Sequence, residues 1–288
     1  MSYRVDYYEA SVPFLWSQDW RPETVHQGVE LCRQETITPR ILKCLPHEGK
    51  ILEAGCGDGR WVAFLREHER RIVGIDYCTE GLKRLKNKIS DAAVTAALVE
   101  EMPFREGTFS AVFSHGVLEH FEQGPLPALK ETFRVVVGGG LLILVVPFNN
   151  LFRRLIVNRL HSVRSALRRL RGAQLAFAEY RFSIGEVKEL LETAGFTPVE
   201  VHPADLNPPA NIGLYVDALD LFGHEPVSAG GARKGSFLFR LIVSRDRNWE
   251  LSRFGQMIAA LLRRLSPWLV CGMVLFVARA RPKAGSSQ

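Results

Sequence analysis

From residue 50 onward the chain alternates short apolar runs with stretches whose apolar positions recur every three or four residues. Runs of the first kind suit strands buried on both faces, and stretches of the second kind suit crossover helices. Their alternation is the pattern of a parallel sheet wound by helices. The runs predict strands near Lys50–Ala54, Arg71–Asp76, Ala93–Leu98, Phe109–Ser114 and Gly140–Val146, with helices near Arg60–Glu69, Glu80–Lys88 and Pro127–Val136. A further helix over Ile184–Ala194 stops at Gly195, a residue suited to the left-handed turn that closes a helix, and a strand follows at Phe196–His202. The last apolar run, Val270–Ala278, supplies a seventh strand. The expected fold class is α/β, a doubly wound, mostly parallel, seven-stranded Rossmann-like sheet with a helical N-terminal extension and insertions.

Three segments fall outside the alternation. Residues 1–49 hold Tyr3, Tyr7, Tyr8, Phe14, Trp16 and Trp20 and then a helical stretch from about Pro22 to Cys44, which together predict a helical lid or extension. Within the remaining domain, residues 50–288, a basic helical insertion spans 149–178. A lid-like insertion with a Pro/Gly-rich loop and two helices spans 203–266. Such segments either wall a substrate site over the sheet or cover one of its faces. The sequence leaves both open, as it does a role for Trp16 and Trp20 as an aromatic lid or as a pin for the N-terminal helix.

Two uncharged runs require testing as membrane spans. Val135–Phe152 is broken by Gly138-Gly139-Gly140, Pro147 and Asn149-Asn150 into a turn, a buried strand and a loop. Leu265–Ala278 is too short to cross a bilayer as a helix and contains Pro267. Both are expected to be core elements. Met1–Ala10 carries Arg4, Asp6 and Glu9 with no apolar core, so no secretory signal is expected there. Five scattered cysteines without a C-x-x-C pair point to a reducing cytoplasm rather than a disulfide or zinc framework.

The richest stretch is Lys50-Ile51-Leu52-Glu53-Ala54-Gly55-Cys56-Gly57-Asp58-Gly59-Arg60, a buried strand running through a glycine turn into a helix. Glycines at 55, 57 and 59 let backbone approach a ligand and present free amides at a helix N-terminus. A dinucleotide fingerprint needs glycine where Arg60 stands, which argues against that class, and the Gly-Lys-Ser/Thr of a mononucleotide P-loop is absent. Followed by Asp76 at the end of Val73-Gly74-Ile75-Asp76, the turn resembles motif I of class I S-adenosylmethionine (SAM)-dependent methyltransferases. Glu100-Glu101-Met102-Pro103-Phe104, Phe109-Ser110-Ala111-Val112 and Gly116-Val117-Leu118-Glu119-His120 resemble the "LPF…FD…VLEH" run of the methyltransferase type 11 group. That group includes quinone-pathway and natural-product methyltransferases. Arg134 to Gly140 resembles its "RVLKPGG" turn, and Glu179–Ser183 with Leu190–Phe196 resembles its late helix-and-strand signature. The resemblance covers residues 48–202 and the last strand. It departs at Leu98, where the group places an Asp for the adenine amino group.

The resemblance implies a SAM-binding methyltransferase domain, with S-adenosylhomocysteine as the product of the donor. It assigns donor binding to Glu53, Gly55, Cys56 and Gly57, to Asp76 and Tyr77, to Val99 and Glu100, and to Ser114. A carboxylate at Asp76 suits ribose because it accepts two hydrogen bonds at once. His120, Glu119 and His115 follow the fourth predicted strand at the edge where α/β sheets bind ligands, so all three are candidate proton acceptors. Equally, Glu119 and His120 serve to cap and orient this loop. Tyr180 and Arg181 either face the acceptor or pack. Relatives of the group bind a divalent metal through "E-x-x-E-H", but Gly116 replaces the first acid, so no metal is expected.

Charge refines the picture late. The formal charge is +6, yet seven arginines lie in Phe152–Arg171, and without them 30 basic residues face 31 acidic ones. Apolar residues at 152, 155, 156, 160, 163, 167 and 170 form one stripe of that helix, and no acid occurs between Arg134 and Glu179. The helix either lies on an anionic membrane, gates an acidic or lipid-like acceptor, or packs its stripe on the domain. Asn207-Pro208-Pro209-Ala210 is misplaced and lacks the aromatic of amino-methylating nucleic-acid enzymes, and there is no Pro-Cys pair, so nucleic acid is the less expected partner. The expected function is SAM-dependent transfer of a methyl group to a small-molecule or lipid-like acceptor, by a cytoplasmic protein with peripheral membrane contact as an option. A non-catalytic SAM-binding scaffold and a nucleotide-dependent oxidoreductase are the alternatives.

Overall fold

The computed structural model describes residues 4–9, 25–172, 174–205, 241–242 and 251–283. In chain order the elements are β1 (Arg4–Glu9), α1 (Val25–Gln34), α2 (Thr38–Cys44), β2 (Ile51–Ala54), α3 (Arg60–Glu67), β3 (Ile72–Asp76), α4 (Thr79–Lys88), β4 (Val94–Ala96) and β5 (Phe109–His115). A 3-10 turn, Leu118–His120, precedes α5 (Leu126–Val135) and β6 (Val136–Pro147). A π-helical turn, Arg153–Val157, then leads into α6 (Asn158–Leu170), β7 (Leu175–Arg181), α7 (Ile184–Ala194), β8 (Phe196–Ala204), α8 (Arg253–Leu265) and β9 (Met273–Ala280).

Seven strands form one sheet in the order β4-β3-β2-β5-β6-β9-β8, with β9 alone antiparallel to its neighbours. This is the doubly wound α/β sheet expected from the sequence. Alternating side chains on each strand divide the core in two. Ile51, Phe113, Ile143 and Val145 join Cys32, Ile41, Trp61, Phe64 and Leu85 on one face. Leu52, Val112, Leu142 and Leu144 join Leu129, Leu190, Leu191 and Phe196 on the other. Trp61 packs edge-on against both Phe64 and Phe113, and truncating so buried an aromatic costs about 3–5 kcal/mol.

Both uncharged runs are core strands, β6 and β9, and no helix among the described residues is long and apolar enough to cross a membrane. Helix α7 is fixed at both ends. Ser183 and Glu186 form a reciprocal capping box at its start, and Gly195, at φ +106°, closes it.

Three expectations change, and one open reading is narrowed. Residues 138–140 are not a turn between helix and strand: β6 begins at Val136 and runs through the glycines, with a register shift against β5 and Gly139 at φ +77°. The predicted helix from Pro22 to Cys44 is two helices, because Pro39 must sit in the first turn of a helix, where its missing N–H costs nothing. The extension is also not wholly helical. Its β1 pairs antiparallel with β7, a strand that straddles the end of the segment read as a helical insertion. Finally, α1 and α2 bury Val29, Cys32 and Ile41 in the sheet's core, so this part of the extension covers a sheet face. Trp16, Trp20 and the Asn207–Ala210 loop lie outside the described residues.

Candidate functional site

The C-terminal ends of β2, β3, β4 and β5 lie along one edge, and the glycine turn crosses it between β2 and α3. Gly55, Gly57 and Gly59 all adopt left-handed backbone, at φ +81°, +56° and +77°. The amides of Gly55 and Cys56 donate to the Ile75 carbonyl at 2.9 and 2.8 Å, locking the turn to β3. Glycine is also required sterically. A Cβ on Gly55 would stand 2.4 Å from Val117 Cγ2, and one on Gly81 in α4 would meet the Gly57 carbonyl at 2.5 Å. The turn is thus held from three sides, by β3, by Val117 and by α4.

Asp76 is the keystone of the turn. Its Oδ2 accepts from the Gly57 amide at 2.7 Å and its Oδ1 from the Cys78 amide at 2.8 Å. Each carboxylate oxygen retains a further lone pair, so acceptor capacity remains for a ligand hydroxyl. Beside it Tyr77 is 59% exposed, and Leu98 across the edge is 53% exposed. These two large apolar groups at the ends of β3 and β4 suit the faces of a flat heterocycle. Glu53 is buried with no hydrogen-bond partner for its Oε2, and burial pushes its carboxyl well above the usual range. Asp58 Oδ1 is likewise buried and unpartnered. Orphaned acceptors beneath a glycine cradle are the polar groups a donor such as SAM would satisfy.

Other residues assigned by sequence point elsewhere. The Cys56 side chain is buried against Gly74, so only its backbone faces the edge. Ser114 Oγ is spent on the Ala54 carbonyl at 3.2 Å, clasping β5 to β2. Val99 is buried in the core, again leaving backbone alone, while the Glu100 side chain is exposed.

The two histidines differ in their settings. His120 Nδ1 lies 3.1 Å from the Ala178 carbonyl on β7, and burial lowers its pKa to about 4. Tyr180 reaches back from β7, its hydroxyl donating to the Glu122 carbonyl at 2.5 Å. His120 and Tyr180 therefore fasten the loop after β5 to β7. Glu119, between them and the core, is buried with Oε2 unpartnered, and burial raises its pKa well above the carboxylate range. Arg181 is buried and paired with Glu179 at 3.3 Å.

His115 ends β5 on the ligand edge. Its Nε2 is 3.5 Å from Glu35 Oε2, and Glu35 Oε1 is 2.7 Å from Arg60 Nη1. Burial lowers the His115 pKa, Glu35 opposes that shift and Arg60 adds to it. Glu35 sits at the break between α1 and α2 and belongs to no motif in the sequence. The only signal there is Pro39, whose helix start forces the chain to turn just where Glu35 stands. Among the described residues no cluster of three or more His, Cys, Asp or Glu is arranged to hold a metal.

A glycine turn after the first strand of the sheet, held by the acid that ends the next, in a sheet whose seventh strand runs antiparallel, is the arrangement of the Rossmann-like methyltransferase fold. Residues 52–144 match the family model described as "Methyltransferase domain", type 11, so this segment is a class I SAM-dependent methyltransferase domain of that group, with SAM as its cofactor. Among curated proteins, the chain is 33% identical over 118 residues to a human "Probable tRNA methyltransferase 9B", covering 39% of this chain and 25% of that protein. It is 27% identical over 169 residues to a "Probable S-adenosylmethionine-dependent methyltransferase" of Mycolicibacterium smegmatis, covering 57% and 58%. The chain thus spans only a quarter to somewhat over half of these relatives. Two solved structures share the fold. One is a putative methyltransferase in complex with the Haloferax volcanii Trm112 activator (TM-score 0.57, 15% identity, 94% of this chain and 99% of that one). The other is a SAM-dependent methyltransferase of Mesorhizobium loti (TM-score 0.52, 14% identity, 86% and 99%).

Proposed function

We propose that this chain transfers a methyl group from SAM to a small-molecule or lipid-like acceptor. The observation that carries the donor half is the Asp76 carboxylate, buried at the end of β3, bonded to the glycine turn and still able to accept. In this reading Asp76 takes the ribose hydroxyls, Tyr77 and Leu98 flank the adenine, and Glu53, beneath the glycine turn, takes the polar methionine end. The bound donor supplies a methyl already activated on a cationic sulfonium. The protein's own share is then to orient, to exclude water and, for a weakly acidic acceptor, to remove a proton.

His115 is the better proton acceptor of the two histidines. Glu35 holds its imidazole and favours the protonated form, whereas His120 is clasped to Ala178 and is a weak base at about pKa 4. His120 and Tyr180 serve as positioning residues that keep the loop after β5 closed against β7.

The apolar character of the acceptor rests on Leu151, Leu155 and Ile156, which stand exposed just after β6 leaves the ligand edge. A tRNA acceptor is the second reading, favoured by the similarity to proteins named as probable tRNA methyltransferases. One experiment separates them. The protein is incubated with methyl-labelled SAM and, in parallel, total RNA and a solvent-extractable metabolite and lipid fraction. Label in the solvent-extractable fraction supports the proposal, and label confined to RNA overturns it.

A further inference from the structure

Two amphipathic helices leave the same edge of the sheet. In the β6–β9 pairing Pro147 lies opposite Met273, so the chain leaving β6 for α6 and the chain arriving at β9 from α8 pass side by side. That edge is the C-terminal edge of β2, β3 and β5, where the donor site stands. Asn150 and the buried Arg153 tie the two paths together, donating to the carbonyls of Cys271 and Gly272 at 3.1 Å each. Arg153 is therefore structural and leaves the set of surface arginines.

Helix α6 buries none of its residues. Its Leu160, Val163, Leu167 and Leu170 fall at spacings of three and four, on one face, and are 48–84% exposed. Helix α8 repeats the arrangement with Phe254, Met257, Leu261 and Leu265, 41–72% exposed. Of the readings open for the α6 stripe, packing on the domain has no support among the described residues. Both segments are basic: no Asp or Glu occurs from 135 to 178 or from 251 to 283.

We infer that α6 and α8 together dock the protein on an anionic lipid bilayer, with the donor edge directed toward the surface. Charge complementarity selects this occupant. Exposed apolar faces bordered by arginine and free of acid match a boundary where acyl chains lie below negative headgroups. A second copy of the chain would bring cation against cation. A nucleic acid would use the arginines but leave eight apolar side chains facing phosphates and water. The docking stands whatever the acceptor is.

The test is co-sedimentation of the full chain with vesicles of phosphatidylserine and phosphatidylcholine, against phosphatidylcholine alone. Variants L167D/L261D and R168E/R264E are run beside it, with their folding checked by thermal melting. The intact protein should partition into the anionic vesicles, release with salt, and bind phosphatidylcholine at least about tenfold more weakly. Each double variant should lose about tenfold or more. No partition into anionic vesicles, or partition untouched by L167D/L261D in a folded protein, overturns the inference. So does binding confined to a stem-loop RNA and lost in R168E/R264E, or a dimer in sedimentation velocity that L167D/L261D dissolves while vesicles are ignored.

Discussion

Replacing Asp76 by Asn tests the donor site and the turn that builds it in one step. The wild-type carboxylate receives the Gly57 amide at 2.7 Å and the Cys78 amide at 2.8 Å in a nearly water-free setting. Hydrogen bonds to a charged group contribute about 1.5–3 kcal/mol each, and an asparagine can keep only one acceptor in place while turning its NH2 toward the other donor. The expected loss is therefore about 2–4 kcal/mol before any ligand is added. For a chain of this size that lowers the melting temperature by roughly 5–15 °C. Donor affinity suffers in addition, because the ribose loses a charged acceptor, which weakens SAM by about ten- to a hundredfold. Thermal melting with and without SAM reads both effects. At a SAM concentration of about 100 times the wild-type Kd, ligand contributes about 2.7 kcal/mol to the wild type, a shift of several degrees, and only about 0.4–1.4 kcal/mol to the variant. If D76N stays folded and binds SAM within about threefold of wild type by calorimetry, Asp76 does not face the donor and the site has been placed on the wrong carboxylate.

Gly55→Ala should abolish SAM binding at a stability cost of about 1–3 kcal/mol, and adding Val117→Ala should recover the steric share but not the part due to φ +81°; full recovery would show that backbone conformation is irrelevant there. Glu35→Gln removes the anion that favours protonated His115, so the acid limb of the kcat/KM–pH profile should move to lower pH with activity down about tenfold. An unmoved limb would remove His115 from the chemistry. Glu119→Gln replaces a buried acid with one unpartnered oxygen by a neutral isostere and should leave stability at pH 8 equal or higher by about 1 kcal/mol, measured by urea unfolding, with a loss of that size counting against the assignment. His120, held near pKa 4 when folded, takes up a proton on unfolding between its ordinary value near 6.5 and 4. Stability should therefore fall as pH drops through that window, by up to about 3 kcal/mol from this residue. A His120→Gln variant with an unchanged pH slope would contradict it.

The sheet was legible because strands buried on both faces leave continuous apolar runs, and Lys50–Ala54, Phe109–Ser114 and Gly140–Val146 each lie on a core strand. Gly55, Gly57 and Asp76 were legible because close backbone approach and a carboxylate at a strand end are local demands, written into a few adjacent residues. Tertiary facts were not. Nothing in Leu175–Arg181 announces a strand whose partner lies some 170 residues earlier, since a two-stranded pairing with Arg4–Glu9 needs no strong alternation in either member. Glu35 carried no motif because its partners, Arg60 and His115, come from separate elements. The amphipathic stripe of Phe152–Arg171 was visible as a pattern, but its exposure, and the burial of Arg153 within it, depend on what the rest of the chain brings near.

These late-arriving contacts share one position. Glu35 from the N-terminal extension meets His115, β7 from the insertion meets the loop carrying His120, and Asn150 and Arg153 tie the start of α6 to the approach to β9. The donor turn, by contrast, is built almost entirely within residues 54–81. A local, sequence-contiguous donor cradle can be kept while every wall around the acceptor is replaced, because the walls reach the edge from segments outside it. Acceptor choice in this chain should therefore follow the extension and the two insertions rather than the glycine turn, and it is there that substitutions should alter what is methylated without altering SAM affinity.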